Sequence, residues 1–179
     1  MNEKLIHTPL TKDQIQDLRC GDRVLISGTI YTARDAAHMR ILAEMKAGNE
    51  PPFPLSGSIV YYAGPSPARP GNVSGSFGPT TSCRMDAMAP YLLDRGLSGM
   101  IGKGMRSPEV VESMVRNGAV YFAAIGGAGA LIADAVKRID LIAYEELGAE
   151  AVRRIEVENF PAIVAIDSLG NCIYKQNDC

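Results

Sequence analysis

The segment from Gly78 to Asp86 combines the residue types that hold a small anion. It contains Gly-Pro-Thr-Thr-Ser-Cys-Arg-Met-Asp and follows a Gly/Ser-rich stretch at residues 71–77. Glycines let backbone N–H groups turn toward an anion, and Thr and Ser hydroxyls donate hydrogen bonds or cap helices. Arg84 can bind a carboxylate or phosphate through two parallel hydrogen bonds. The alternative is an ordinary glycine-rich loop that ends in a helix cap near Ser82.

Two further groups of cationic residues follow predicted strands. Arg34 and His38 come after a predicted strand at residues 23–32, and their i, i+4 spacing predicts that both project from one helical face. Lys103 lies between two glycines, directly after a predicted strand at residues 97–101. In α/β sheets, ligands bind where loops leave the carboxyl ends of strands. The three segments therefore predict convergence on a small polyanion, and the alternative for each is a solvated surface charge.

Other familiar sites have little support in the sequence. Residues 125–131 link a predicted strand to a predicted helix through three glycines, but Ile132 stands where a dinucleotide-binding fingerprint needs Gly or Ala. Close packing of helix against strand is the favoured interpretation there. Cys83 lies at a predicted helix start, which can lower a thiol pKa, but the motif holds no histidine partner. The four cysteines and two histidines show no spacing typical of a zinc site.

The composition is that of a globular protein, and we expect a single domain over residues 1–179. Hydrophobic residues make up 46% and charged residues 21%, with a formal net charge of −2. That balance argues against nucleic acid or an anionic membrane as a partner. Residues 1–4 lack the apolar core of a signal peptide, and the uncharged run 118–133 is too short to span a bilayer. Widely spaced cysteines fit a reducing compartment, so we expect a cytoplasmic protein.

Apolar spacing predicts alternating helices and strands with a β-rich end. Thr11 and Gln14 predict a capping box that opens a short helix. Further helices are predicted at 34–47, about 84–94, 107–117 and roughly 128–138, and strands at 23–32, 58–62, 97–101, 119–125, 141–144, 154–158, 162–167 and 172–175. Gly170 and Asn171 predict a tight hairpin between the last two strands. The pattern predicts a mixed α/β domain.

Long motifs of the chain resemble one known family, the β subunit of two-subunit, iron–sulfur-dependent class I fumarate hydratases. The same module forms the C-terminal domain of single-chain class I fumarases, and L-tartrate dehydratase β subunits are relatives. The resemblance runs nearly end to end. The matching segments are residues 28–38, 62–67, 78–86, 99–104, 118–122, 126–131, 143–148 and 156–161.

The resemblance implies a swivelling β/β/α fold with a mixed sheet and an active site split between two chains. In the family, an α subunit or N-terminal domain holds a four-iron four-sulfur cluster that acts as a Lewis acid, so no metal is expected on this chain. The β module supplies the base and the carboxylate-binding cations. Carried onto this sequence, the base is Thr80, and the substrate-binding residues are Arg34, His38, Thr81, Arg84 and Lys103. A threonine base requires cations and amides that stabilise its alkoxide.

The leading hypothesis is a hydro-lyase β subunit that adds or removes water on a four-carbon dicarboxylate, with fumarate and (S)-malate first. The expected partner is an α subunit, in a homo- or hetero-oligomer. Met88 stands where the family often has tyrosine, so L-tartrate and mesaconate stay open as substrates. A hypothesis of another class is a stand-alone anion-binding or regulatory module.

Overall fold

Strands and helices alternate along most of the chain, in the mixed α/β class that the sequence predicts. The structure, a computed structural model, describes residues 3–125 and 129–174. Its strands are β1 (Lys4–His7), β2 (Arg23–Thr32), β3 (Ile59–Tyr61), β4 (Gly99–Gly102), β5 (Val120–Ala124), β6 (Val136–Ala143) and β7 (Val152–Ile166). Its helices are α1 (Lys12–Asp17), α2 (Asp35–Lys46), α3 (Ala89–Leu93), α4 (Pro108–Asn117) and α5 (Gly129–Ala135), with 3₁₀ turns at Ser82–Met85 and Glu145–Glu150. No helix in the described ranges has both the length and the apolar character to cross a membrane.

The strands form one mixed sheet that closes on itself. Strands β1 to β5 pair in chain order and run parallel, and a helix lies in each connection between them, as parallel pairing requires. Strand β7 runs antiparallel to both β5 and β2, so β2, β3, β4, β5 and β7 form a barrel-like ring. Strand β1 extends the sheet beyond β2, and β6 extends it beyond β7. The carboxyl ends of β2, β3 and β4 therefore lie side by side at one edge.

Strand β7 closes the ring, and the prediction that it is two strands separated at residues 159–161 is wrong. It is continuous, because a bulge absorbs the irregularity in the sequence. Two of its residues, Glu158 and Asn159, face the single residue Ser27 of β2. Asn159 has a positive φ of 53°, and its N–H donates to the Ser27 hydroxyl at 3.0 Å.

Two predicted helices are shorter than expected. The helix predicted at 84–94 divides into the first 3₁₀ turn and α3, with Pro90 in the first turn of α3. The helix predicted at 128–138 ends at Ala135, because Val136 already pairs with Val157 of β7. Strand pairing overrides local helix propensity at this point. The strand predicted at 141–144 is consequently the end of the longer β6.

The chain ends differ from the prediction in smaller ways. The sequence analysis did not identify β1, which pairs with the first half of β2. The predicted capping box of Thr11 and Gln14 is confirmed at the start of α1. The strand predicted at 172–175 is reduced to an isolated bridge between Cys172 and Ile166, and Lys175 lies outside the described residues.

Alternate residues along the central strands divide between two apolar clusters. In β3, Ile59 and Tyr61 belong to the first cluster, while Val60 belongs to the second, together with Tyr62 just after the strand. The second cluster also contains buried residues of α2, α3 and α4, among them Ile41, Leu92 and Met114. Each such buried side chain contributes about 1.5–3 kcal/mol. This packing fixes the three helices against the strand ends that carry the predicted site.

Candidate active site

The candidate site lies where three neighbouring parallel strands end. Strand β2 ends at Thr32, two residues before Arg34, and β4 ends at Gly102, directly before Lys103. Strand β3 lies between them and pairs with both. The sheet therefore places two of the predicted cationic segments on either side of the end of β3.

A long loop, residues 63–79, brings the third segment back to the end of β3. The Thr80 N–H donates to the Tyr62 carbonyl at 2.6 Å, and Thr81 forms a parallel bridge with Lys103. The next residue, Ser82, donates its N–H to the Lys103 carbonyl at 2.9 Å. The Thr80–Arg84 segment, which we call the cradle, therefore continues the line of β3 beside the end of β4.

An ion pair joins the cradle to the start of α2. The Arg84 Nε lies 2.8 Å from Oδ1 of Asp35, and the Arg84 side chain is 53% exposed. Because the pair is solvated, it contributes no more than about 1 kcal/mol. Thr81 precedes the 3₁₀ turn but makes no side-chain cap, so the helix-cap interpretation does not account for its hydroxyl. The three predicted segments thus lie together at one edge of the sheet.

Buried polar atoms without a hydrogen-bond partner concentrate at the start of α2. Of the four such side-chain atoms in the described residues, three are Arg34 Nε, Asp35 Oδ2 and His38 Nε2. The nearest ion-pair partner of Arg34 is Glu150, whose Oε1 lies 3.9 Å from Nε, beyond hydrogen-bond distance. Leaving a buried polar group unpaired costs about 1–3 kcal/mol. This corner is where a polar ligand would restore the most missing contacts.

His38 is buried, and the spacing argument that put it on one helical face with Arg34 is wrong. Arg34 has an extended backbone and precedes the first helical residue, so the two do not share a helical surface. Instead, His38 Nδ1 lies 2.9 Å from the Arg34 carbonyl oxygen, and the ring packs edge-on against Tyr62. Burial lowers the pKa of His38 to about 4, and the nearby charge of Arg106 acts in the same direction. A neutral ring that donates from Nδ1 leaves Nε2 as an acceptor.

A buried arginine that the sequence analysis did not single out lies behind the cradle. The Arg106 side chain has no exposed surface, and its Nε lies 2.7 Å from Oδ1 of Asp86. Its guanidinium also donates to the Tyr62 hydroxyl at 3.2 Å and lies over the Tyr62 and Tyr121 rings. Arginine is seldom fully buried, and a position just before Ser-Pro at a helix start is typical of the surface. Nothing in the local sequence therefore indicated its burial.

The cations lie on an open face rather than in a closed pocket. Thr81 and Lys103 are exposed, and no carboxylate among the described residues pairs with Lys103. A cavity of about 730 Å³ opens nearby, between loop residues 66–76 and residues 130–137, but none of the predicted site residues lines it. Gly129 lies at this loop, where an added Cβ would be 2.6 Å from the Ser76 hydroxyl. The other glycines of that motif, Gly126 and Gly127, lie outside the described residues.

The side chains of the described residues do not form a site that fits an iron–sulfur cluster. Within residues 3–125 and 129–174, no three His, Cys, Asp or Glu side chains lie close enough together to hold a metal ion. Three cysteines, Cys20, Cys83 and Cys172, are free thiols. Burial raises the pKa of the Cys20 thiol, which disfavours the thiolate that binds metal.

The chain matches the family described as Fumarase C-terminus over residues 2–177. It belongs to this family. Among its relatives is a Methanocaldococcus jannaschii protein provisionally named L(+)-tartrate dehydratase subunit beta, 44% identical over 93% of this chain and 89% of its own length. Fumarate hydratase 2 of Leishmania major is 40% identical over 92% of this chain, and the anaerobic class I fumarate hydratase of Escherichia coli is 39% identical over 91%. These names denote hydro-lyases.

The relatives differ in how much of their length this chain accounts for. It covers 29% of the Leishmania major enzyme and 30% of the Escherichia coli enzyme. The archaeal relative is instead named as one subunit of an enzyme and is almost fully covered. The family thus occurs both as a part of long chains and as a separate subunit that has a partner.

Proposed function

We propose that this chain is the β subunit of a two-subunit hydro-lyase that adds or removes water on a four-carbon dicarboxylate. Arg34, Arg84 and Lys103 bind the substrate carboxylates, and Thr81 contacts the substrate between them. His38, whose side chain is buried, contributes to the substrate site by holding the Arg34 segment through its contact with the Arg34 carbonyl. Fumarate and (S)-malate are the first substrate pair, since most of the relatives described above are fumarate hydratases. We retain the cytoplasm as its predicted location.

The observation that carries the proposal is the meeting of three cationic segments at adjacent strand ends. Asp35 is in hydrogen-bond contact with Arg84, and Thr81 is bridged to Lys103, so all three segments border one small area. A dicarboxylate needs cations at two positions, and guanidinium groups bind carboxylates in a fixed geometry. The unpartnered Nε of Arg34 is a hydrogen-bond donor, and the unpartnered Oδ2 of Asp35 is an acceptor. A hydroxy acid has a carboxylate that accepts and a hydroxyl that donates, so it matches this pair.

Thr80 is our proposed base for the C–H proton next to the carboxylate. Its backbone is anchored on the Tyr62 carbonyl, and Arg84 and Lys103 lie in the neighbouring segments. Positive charge near a hydroxyl lowers its pKa by stabilising the alkoxide. The same cations would therefore bind the substrate carboxylates and stabilise the alkoxide of Thr80.

The Lewis-acid half of the reaction belongs, in this proposal, to an α subunit that holds the four-iron four-sulfur cluster. Two observations support that division. The described residues offer no metal-ligand cluster, and the chain accounts for less than a third of the single-chain enzymes it resembles. The cluster would polarise the substrate hydroxyl and carboxylate when the two subunits are together.

L-Tartrate is a second candidate substrate, favoured by one specific observation. The relative that this chain covers almost completely, at 44% identity, carries a tartrate dehydratase name. Tartrate differs from malate by one further hydroxyl, and Asp35, whose side chain is partly exposed, has an acceptor oxygen without a partner for it. The substrate is therefore best decided by comparing rates.

The proposal is tested by reconstituting the chain with its α subunit under anaerobic conditions. We expect no hydration of fumarate by the chain alone, and oxygen-sensitive turnover once the cluster-bearing subunit is added. Rates for (S)-malate, L-tartrate and mesaconate measured on the same complex rank the substrates. Hydration of fumarate by the isolated, metal-free chain would refute the split site, and malate binding without turnover in any complex would favour a stand-alone anion-binding module.

A further inference from the structure

We infer that Arg106 is a positioning residue, which holds the cradle at the spacing that a substrate requires from residues 103–107, the connection between β4 and α4 that we call the Lys103 loop. The inference rests on the function proposed above. Arg106 cannot itself touch a substrate at this face, since its side chain has no exposed surface. It acts through the neighbours that it contacts.

The first set of contacts fixes the cradle. Asp86, just after the 3₁₀ turn, accepts from Arg106 Nε on Oδ1 and from the Ser107 N–H on Oδ2, at 2.7 and 2.6 Å. Both carboxylate oxygens are thus held, one by a guanidinium and one by the backbone at the start of α4. Asp86 caps the 3₁₀ turn that contains Arg84, so the carboxyl side of the cradle is tied through it to the start of α4.

The second set of contacts fixes the other end of the cradle. The Arg106 guanidinium donates to the hydroxyl of Tyr62, whose own carbonyl accepts the Thr80 N–H. The guanidinium also lies 5.0 Å from the Tyr121 ring centroid. The Tyr121 hydroxyl lies 2.9 Å from both the Ser82 hydroxyl and the Gly104 carbonyl. A phenol has one proton, so it donates to one of these oxygens and accepts from the Ser82 hydroxyl when it donates to Gly104.

Arg106 therefore lies at the centre of a buried polar network. Its partner Asp86 follows the 3₁₀ turn on the carboxyl side of the cradle, and its partner Tyr62 binds the Thr80 N–H at the amino end. The Tyr121 ring beside it carries the hydroxyl that contacts both Ser82 and Gly104. The Arg106–Asp86 ion pair is largely buried, and such a pair is often no more stable than apolar side chains of similar volume at both positions. A charged, directional group at this place is better explained by geometry than by stability, because hydrogen bonds fix relative positions that apolar contacts leave adjustable.

Two substitutions at Arg106 test the inference, with a control matched for stability. Arg106→Met removes all of its hydrogen bonds, whereas Arg106→Lys retains a charge beside Asp86. Val164→Ala, a fully buried site in the first apolar cluster, lowers stability without touching the network. Each variant is compared with the parent by kcat/KM in the complex with the α subunit, by Tm, and by backbone hydrogen exchange in the purified chain.

We expect Arg106→Met to lower kcat/KM by about 100-fold, the size of effect that a displacement near 1 Å produces. Exchange should become faster at the Thr80, Ser82 and Ser107 amides while the amides of β7 keep their protection. Arg106→Lys should recover part of both. Val164→Ala should retain parent kcat/KM at a similar loss of Tm. If Arg106 were merely structural, Arg106→Met and Val164→Ala would instead have the same kcat/KM at the same loss of Tm.

Tyr121→Phe keeps the test decisive even if Arg106→Met does not fold. It removes one hydroxyl and the link between Ser82 and Gly104, and we expect kcat/KM to fall about tenfold with faster exchange at Ser82. If Tyr121→Phe and Arg106→Lys both keep parent kcat/KM and parent exchange, Arg106 is only a core residue. A parent complex without hydro-lyase activity would instead refute the proposed function, and exchange at the cradle amides would still decide whether Arg106 positions that segment.

Discussion

At the scale of single residues, the two arginines of the candidate site already lie close to carboxylates of the same chain. Arg84 contacts Asp35 at 2.8 Å, and Arg34 lies 3.9 Å from Glu150. Both arginines are partly exposed, so these pairs contribute little to folding. A substrate carboxylate can therefore replace an internal one at small cost.

Thr80→Val tests the proposed base. Valine has nearly the shape of threonine, and the backbone bond from residue 80 to Tyr62 does not need the hydroxyl. We expect loss of measurable turnover in the reconstituted complex with no more than a small change in Tm. Thr29→Val, on β2 and away from the strand ends, is the matched control. Turnover by Thr80→Val close to the parent rate would place the base elsewhere.

The buried His38 makes stability depend on pH. Its pKa is lowered from 6.5 to about 4 in the folded chain, so below about pH 6.5 the unfolded chain binds a proton that the folded chain does not. The free energy of unfolding should therefore fall as the pH is lowered from about 6.5 to about 4, by about 3 kcal/mol in total from this group.

Urea unfolding at several pH values measures this contribution. His38→Gln should flatten the pH dependence between pH 7 and pH 4.5, because glutamine does not titrate. His7→Gln, at an exposed position of β1, should keep the parent slope. A parent slope in His38→Gln would show that His38 is not the group responsible.

At the scale of elements, the close approach of β4 to the cradle depends on Gly102. A Cβ added there would lie 1.9 Å from the Ser82 Oγ and 2.9 Å from Tyr62 Cδ2. The cradle can therefore lie against the end of β4 only because residue 102 has no side chain. A bulkier residue must push Ser82 away from Lys103.

Gly102→Ala should consequently destabilise the fold by about 1–3 kcal/mol, the usual cost of overpacking. It should also lower kcat/KM more than its loss of stability explains. Gly78→Ala is the control, since a Cβ at residue 78 meets nothing within 4 Å. Urea unfolding and the steady-state rate give the two measurements, and a Gly102→Ala protein with parent stability would contradict the packing described here.

The elements that could be predicted are those whose local pattern and tertiary environment agree. Strand β2 has the predicted bounds, and the Ser107 cap of α4 forms as expected, with its hydroxyl accepting from the Val110 N–H. The end of α5 and the continuity of β7 could not be predicted, because both depend on pairing between strands far apart in sequence. A bulge at Asn159 lets a strand continue where its pattern suggests a break.

The residues of the candidate site also divide into those that the local sequence predicts and those whose environment depends on distant parts of the chain. Arg34, Arg84 and Lys103 could be located because cations after strands are a local signal, and parallel strands bring their ends together. The burial of His38 and Arg106 could not be predicted, since it follows from packing against Tyr62, just after β3, and, for Arg106, also against Tyr121 of β5. The residues proposed to touch a ligand were therefore more predictable than those that pack behind them.

At the scale of the whole molecule, the closed sheet presents its cations on an open face. Thr81, Arg84 and Lys103 are exposed, and the chain covers about 30% of the Leishmania major and Escherichia coli fumarate hydratases described above. In the proposed function, this open face needs a second surface to exclude water and to complete the chemistry. The proposed α subunit supplies both.

The most direct test of this account is the effect of Arg84→Ala on kcat/KM for fumarate in the complex with the α subunit. Losing a charge-assisted contact to the substrate should cost at least about 2 kcal/mol, which is roughly a 30-fold decrease. Arg116→Ala is the control, because Arg116 pairs with Asp94 at the end of α4, away from the strand ends that carry the site. We predict a decrease of that size for Arg84→Ala and parent activity for Arg116→Ala. Equal kcat/KM for Arg84→Ala and the parent complex would contradict the account.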